Sequence, residues 1–154
     1  MPNNIERLIK QRIPFQSETV KALVGFMYVS YILQDAQQQY FKPFGITLQQ
    51  YNILRILRGQ FPKTSNINLI KERMIDRMSD VSRMIDRLVK LEMVTKEANT
   101  FDKRNVDVMI TEKALNLLSE IDQLDSKQKL PISHLTTDEI RQLNQVIDRI
   151  LENY

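Results

Sequence analysis

Between residues 79 and 110 the apolar residues change from a helical spacing to an alternating one, and this change limits the possible folds more than any other feature of the sequence. Within residues 79–91 the apolar side chains share one helix face, which carries Val81, Met84, Ile85, Leu88 and Leu91. Residues 93–96 and 105–110 are short runs with the character of strands. The sequence therefore predicts a helix followed by a two-stranded hairpin with a polar, basic tip at residues 97–104.

Three helical segments are expected before this unit. Residues 17–41 keep apolar residues at helical spacing, which predicts a long first helix. Thr47 and Gln50 have the spacing of a capping box at the start of a second helix over residues 47–59. A short third helix is expected over residues 67–77.

Two more helices are expected after the hairpin. Thr111 is a predicted cap for the first of them, and Thr136 and Glu139 again have capping-box spacing at the start of the second. The sequence contains no internal repeat and no long linker, so residues 1–154 are expected to form a single domain. The predicted fold class is mainly α with a small two-stranded β-wing.

The charges are distributed unevenly along the chain. Residues 1–104 contain 17 Lys and Arg against 10 Asp and Glu, whereas residues 105–154 contain 5 against 9. This segregation indicates one region that faces a polyanion and one acidic region held away from it. Most such charge runs are simply solvated faces, and that alternative stays open.

Two short helices joined by a tight connection and followed by a hairpin are typical of a winged helix-turn-helix. A helix fits the DNA major groove, where the side chains of its first turns reach base edges and phosphates. Ser79, Ser82 and Arg83 occupy those turns, and Lys103 and Arg104 occupy the hairpin tip, which can lie against the minor groove.

The segments RLVKLEMV at residues 87–94 and DKRNVDVMIT at residues 102–111 resemble the MarR family of transcription regulators. In that family an Asp-x-Arg pair in the wing precedes a strand that ends in Leu-Thr. Asp102 and Arg104 match the pair, and Ile110-Thr111 stands for Leu-Thr. One departure is Glu92, which lies in a turn where the family usually has glycine.

The resemblance implies how the chain is organised. Residues 45–111 would form the winged helix-turn-helix DNA-binding lobe, and residues 17–41 and 112–152 would form N- and C-terminal dimerisation helices. The apolar stripe of the last helix could instead be covered by the first helix of the same chain. The implied DNA-binding residues are Ser79, Asp80, Ser82, Arg83, Arg87, Asp102, Lys103 and Arg104.

The function expected from these features is sequence-specific binding of double-stranded DNA by a homodimeric regulator. The resemblance implies a repressor that binds a pseudo-palindromic operator and is released by a small aromatic or lipophilic effector. An effector cleft would be lined by Phe26, Tyr28, Tyr31 and Tyr51. The alternative is a winged-helix module that binds proteins and has no DNA affinity of its own.

Other classes of function lack the necessary residues. The chain has one His, at position 134, and no Cys, so no His or Cys cluster for a metal or a nucleophilic enzyme is expected. The three glycines are scattered and form no phosphate-binding loop. We expect no enzyme activity, no cofactor, no membrane association and a cytoplasmic location.

Overall fold

The computed structural model describes residues 4–76, 78, 80–100, 105–125 and 130–152. The chain divides into two compact units, one formed by residues 1–36 and 129–154 and the other by residues 37–128. The second unit contains the helices and strands that the sequence assigns to a winged helix-turn-helix.

The described part of the chain is mainly helical, as the sequence predicts. The helices are α1 (Ile5–Leu8), α2 (Glu18–Phe41), α3 (Leu48–Arg58), α4 (Ile67–Arg73), α5 (Val81–Lys90), α6 (Glu112–Asp125) and α7 (Thr137–Leu151), with a 3₁₀ turn at Lys42–Phe44. The short helix α1 and the 3₁₀ turn are not predicted from the sequence. Both are a single turn long, so they contain too few residues to show a periodicity. None of the helices in the described ranges has both the length and the apolar composition needed to cross a bilayer.

Capping side chains fix where the helices of the second unit begin. Thr47 and Gln50 form the predicted capping box at the start of α3, with the Gln50 N–H donating to Thr47 Oγ1 at 3.2 Å. Asn66 caps α4 by accepting from the Leu69 N–H at 2.8 Å. Thr111 caps α6 by accepting from the Ala114 N–H at 3.3 Å.

The sheet has three strands, one more than the two-stranded wing of the prediction. Strands β1 (Ser65–Asn66), β2 (Val94–Ala98) and β3 (Val106–Ile110) are antiparallel in the order β1-β3-β2. Strand β1 is not predicted from the sequence, because two residues cannot show an alternating pattern. Its position becomes evident only through its pairing with β3, where Ser65 lies opposite Val108.

The core of the second unit lies under α3, α5 and α6. Its fully buried side chains include Ile53 and Leu54 from α3, Ile85 and Leu88 from α5, and Leu118 from α6. Burial of a large aliphatic side chain contributes about 1.5–3 kcal/mol to folding, so these residues fix the inward face of each helix. The outward face of α5 is fixed by the same contacts.

The unit formed by residues 1–36 and 129–154 is much less buried. No described residue of α7 is buried, and large apolar side chains remain exposed on α2 and α7. Within this unit Lys21 pairs with Glu6 at 2.8 Å, and this hydrogen-bonded contact lowers the pKa of the Glu6 carboxyl and raises that of Lys21.

Candidate nucleic-acid interface

The candidate interface is built on α3, α4 and α5 and on the turn that joins the last two. Met74 ends α4 with its side chain buried, and Val81 begins α5 with its side chain buried. The Ile75 N–H in the turn donates to Asn52 Oδ1 of α3 at 3.2 Å. The turn is therefore held at both ends and bonded to α3 near its start.

Helix α5 begins at Val81, two residues later than the first residue of the predicted segment. Asp80 is its N-cap and accepts from the Arg83 N–H at 3.1 Å. A predicted DNA-binding residue thus has a structural role at the helix start. Because Val81 and Ile85 point into the core, Ser82 is half-buried and Arg83 is exposed.

Arg83 and Arg87 are exposed and lie one helical turn apart on α5. In the described part of the chain neither guanidinium forms an ion pair. The acidic neighbours on the same helix have other partners or roles: Asp86 accepts from Lys96 Nζ of β2 at 2.7 Å, and Asp80 caps the helix. Two cations on the outward face of α5 are therefore available to a ligand.

A cavity of about 290 Å³ lies beside these arginines, between α5 and the start of α3. It is lined by Thr47, Gln49, Gln50, Asp80, Arg83, Met84 and Arg87. Guanidinium groups bind phosphate oxygens through two parallel hydrogen bonds, and in this lining they lie with polar side chains and with the carboxylate of the cap Asp80. The contribution of Gln49 and Gln50 is not predicted from the sequence, where both residues belong only to a helix start.

The wing is formed by β2 and β3 and is fastened to α5. The Lys96–Asp86 pair joins β2 to α5, and Asn99 Nδ2 donates to both carboxylate oxygens of Asp107 at 3.0 and 3.1 Å. These contacts set the base of the hairpin. The predicted tip residues Asp102, Lys103 and Arg104, and Ser79 before α5, lie outside the described residues, so their roles stay predictions.

The turn between α5 and β2 contains Glu92, at a position where the backbone conformation favours glycine. Glu92 has a φ of 59°, which is the left-handed conformation that glycine adopts most easily. The Met93 N–H donates to Leu88 O and the Glu92 N–H donates to Val89 O, both at 2.9 Å, which is the hydrogen-bond pattern of a Schellman motif. This chain places a glutamate at the position where that motif favours glycine.

Side chains from α6 and its cap compensate at this turn. Lys113 Nζ donates to Leu91 O at 2.9 Å and to Glu92 Oε2 at 3.1 Å. The Thr111 hydroxyl donates to Glu92 O at 2.8 Å. The C-terminal end of α5 is therefore bonded to the start of α6, and these bonds fix the orientation of α5 relative to α6.

A second set of polar contacts joins α3 to α6. Asp122 pairs with Arg55 Nη1 at 3.0 Å and with Arg58 Nη1 at 2.6 Å. No feature of the sequence indicates this pairing, because the partners are more than 60 residues apart. These two arginines are therefore committed to α6, unlike those on α5.

The four aromatic residues of the predicted effector cleft fall in both units. On α2, Phe26 and Tyr31 are exposed and Tyr28 is half-buried. Tyr51 belongs to the unit of residues 37–128, where its ring stacks on Phe41 with centroids 4.3 Å apart. The effector cleft remains a prediction.

Three helices packed on a small antiparallel sheet, with exposed arginines on the capped helix α5, define a winged helix-turn-helix domain. Residues 46–106, which contain these elements, match the model of the MarR family. Over these residues the chain is similar to the MarR family of winged-helix transcription regulators.

The chain is also similar to individual proteins of this kind. The chain is 23% identical over 114 residues to the HTH-type transcriptional regulator MgrA of Staphylococcus aureus. The matched residues cover 74% of this chain and 76% of that protein. A MarR transcription factor from Planctomyces limnophilus is 27% identical, with a TM-score of 0.65 over 88% of this chain and 98% of that one. A mutant MarR from E. coli in complex with operator DNA is 24% identical, with a TM-score of 0.75 over 90% and 99% of the two chains.

Proposed function

We propose that this chain is a sequence-specific regulator of transcription that binds double-stranded DNA through α5 and represses the promoters it binds. The observation that carries this proposal is the pair of exposed arginines on α5, Arg83 and Arg87, which form no ion pair with another described residue. If this surface contacted only solvent, ion pairs between the two arginines and nearby carboxylates would cost no function.

The dimensions of α5 suit the major groove. Its ten residues span about 15 Å, and a groove about 12 Å wide accepts a helix whose first turns face the base edges. In this arrangement Ser82 and Arg83 reach bases and adjacent phosphates, and Arg87 reaches a phosphate one turn further along. Asp80 lies at the helix start as its cap, and Ser79 precedes it in the sequence.

The wing completes the proposed interface. Arg104 would enter the minor groove, Lys103 would bind a phosphate, and Asp102 would orient the hairpin tip. Support comes from the base of the hairpin, where Lys96 bonded to Asp86 fixes β2 against the recognition helix. With β2 bonded to α5, the hairpin tip would reach the groove next to the one that α5 occupies.

The proposed active form is a homodimer that binds a pseudo-palindromic operator. Within the unit of residues 1–36 and 129–154, large apolar side chains of both helices remain exposed: Leu23, Phe26, Met27, Val29 and Tyr31 on α2, and Val146, Ile150 and Leu151 on α7. Packing inside one chain leaves these side chains uncovered, so a second copy is the partner that would bury them. The dimer would place two recognition helices on two half-sites.

A small aromatic or lipophilic effector is proposed to release the protein from DNA. Phe26, Tyr28, Tyr31 and Tyr51 supply the aromatic surface for it. Titration of the protein with aromatic acids should raise its melting temperature and weaken its DNA affinity. If neither quantity changes, this part of the proposal fails.

The proposed function requires binding alone, involves no catalysis or cofactor, and places the protein in the cytoplasm with the DNA.

The test of specific binding is fluorescence anisotropy with two labelled duplexes. One carries the DNA upstream of the protein's own gene and the other carries the same bases in scrambled order. We expect the wild-type protein to prefer the first duplex by about 10³-fold or more, the lower limit of the usual ratio of specific to non-specific binding. Arg104→Ala should weaken binding to the first duplex. Equal, weak binding to both would favour a winged-helix module that binds proteins.

A further inference from the structure

Two large apolar side chains project from the turn between α4 and α5. Ile75 is 88% exposed and Met78 is 94% exposed, and no other large apolar side chain among the described residues is as exposed. Single exposed apolar residues are common on protein surfaces, but two so fully exposed and only three residues apart are not. We refer to Ile75 and Met78 as the apolar turn pair.

The backbone of this turn is held in place. The Ile75 N–H donates to Asn52 Oδ1 at 3.2 Å, and the Met78 N–H donates to Asp76 Oδ1 at 3.0 Å. Met74 before the turn and Val81 after it are both buried in the core. The apolar turn pair is thus presented to solvent by a segment that is bonded to α3 and anchored at both ends.

The location of the pair identifies what would cover it. Met78 precedes Asp80, the N-cap of α5, by two residues. It therefore lies at the N-terminal end of the helix that is proposed to enter the major groove. Arg83 and Arg87 follow on α5, are exposed and form no ion pair with another described residue, which favours a polyanion as the partner of this helix. In the major groove of DNA the apolar group on the base edges is the C5 methyl of thymine.

We propose that Ile75 and Met78 contact thymine C5 methyl groups in the operator and thereby help determine its sequence. This inference rests on the proposed DNA-binding function and adds Ile75 and Met78 to the residues that the sequence pattern assigns to DNA binding. The unbranched thioether of Met78 adapts to the position of a methyl group, while the β-branched Ile75 offers a stiffer surface beside it.

The experiment separates the methyl group from every other feature of the DNA. Duplexes are selected from a random pool with the full-length protein, and each thymidine of the selected duplex is then replaced in turn by deoxyuridine, which removes only the C5 methyl. We expect at least one replacement in each half-site to weaken wild-type binding about fourfold, the effect of losing one buried methyl group. In Met78→Ala combined with Ile75→Ala, thymidine and deoxyuridine duplexes should bind equally.

Val89→Ala is the matched control, because it also shortens a partly exposed apolar side chain, but in the last turn of α5. This variant should keep the wild-type preference for thymidine. Melting temperatures of the turn variants should equal that of the wild type, since both side chains are exposed.

Three results would overturn the inference. A methyl preference that persists unchanged in the double variant would assign the contact to other residues, and selective binding without any methyl preference would show that the pair does not read thymine. If no duplex is enriched from the pool, the proposed DNA-binding function fails and the inference fails with it.

Discussion

A single residue, Glu92, has a strained backbone conformation at the C-terminal end of α5. Glu92 has a φ of 59°, and side chains with a Cβ are disfavoured in this region by roughly 1 kcal/mol or more. Its carbonyl accepts from the Thr111 hydroxyl at 2.8 Å and its carboxylate pairs with Lys113 at 3.1 Å. The pair with Lys113 is exposed, and such pairs contribute at most about 1 kcal/mol. The strain is therefore only partly offset.

Glu92→Gly should stabilise the protein. Glycine adopts the left-handed conformation without steric cost, and this gain should exceed the loss of the exposed ion pair and the added backbone entropy of the unfolded chain, which gives a net increase of about 0.5 kcal/mol in the free energy of unfolding. Urea denaturation of the full-length protein measures this difference. The control is Lys90→Gly, which introduces glycine within the same helix and should destabilise by about 0.5–1 kcal/mol. A loss of stability in both variants would contradict the proposed strain.

At the scale of elements, the sequence predicts most of the winged helix-turn-helix. The helix start at Thr47, the apolar face of α5 and the alternation in β3 are local patterns, and each has its structural counterpart. The strand β1 and the pairing of Asp122 with Arg55 and Arg58 are not predicted. Both depend on residues that are distant in sequence, and neither has a local periodicity.

The candidate site could be predicted only in part from sequence. The positions of Arg83 and Arg87 on the outer face follow from the apolar stripe of α5. Their freedom from ion pairs with other described residues does not, because it depends on Lys96 pairing with Asp86 and on Asp80 acting as a cap. The exposure of Met78 is likewise a property of the folded turn, since an apolar residue there could equally have been buried.

The capping box of α7 predicts a pH dependence. Glu139 accepts from the N–H and the hydroxyl of Thr136, both at 2.8 Å, and these hydrogen bonds hold the pKa of its carboxyl below its usual range. Since the folded-state pKa is depressed, the cap stabilises α7 above the ordinary glutamate pKa, and this stabilisation is lost as the pH falls through the folded-state pKa. An NMR titration of Glu139 should give a depressed midpoint that rises toward the ordinary value in Thr136→Ala. An unchanged midpoint in that variant would contradict the assignment.

At the scale of the whole molecule, the exposed apolar side chains of α7 predict self-association. Ile150→Glu combined with Leu151→Glu would place two charges in the proposed interface, at positions where apolar side chains are 55% and 59% exposed in one chain. Sedimentation velocity should show a dimer for the wild type and a dimer weakened at least about tenfold for this variant, because buried charges without partners are costly.

A control on the same helix distinguishes a specific effect from a general effect of charge. Gln142→Glu adds a negative charge to α7 at an exposed polar position and should leave the dimer intact. Dissociation by both variants to the same extent would contradict the proposed interface, as would a wild-type protein that sediments as a monomer.

The central claim, that α5 binds DNA through its exposed residues Arg83 and Arg87, is tested most directly by the salt dependence of binding. Anisotropy is measured over a salt series for the wild type, Arg83→Ala, Arg87→Ala and Arg141→Ala, whose arginine lies on α7 and pairs with Asp138. We expect a steep linear fall of log affinity with log salt, a slope reduced by about 1 in a variant that loses a phosphate contact, and no change in Arg141→Ala. Weak binding that does not respond to salt, or α5 variants that behave like Arg141→Ala, would contradict the claim.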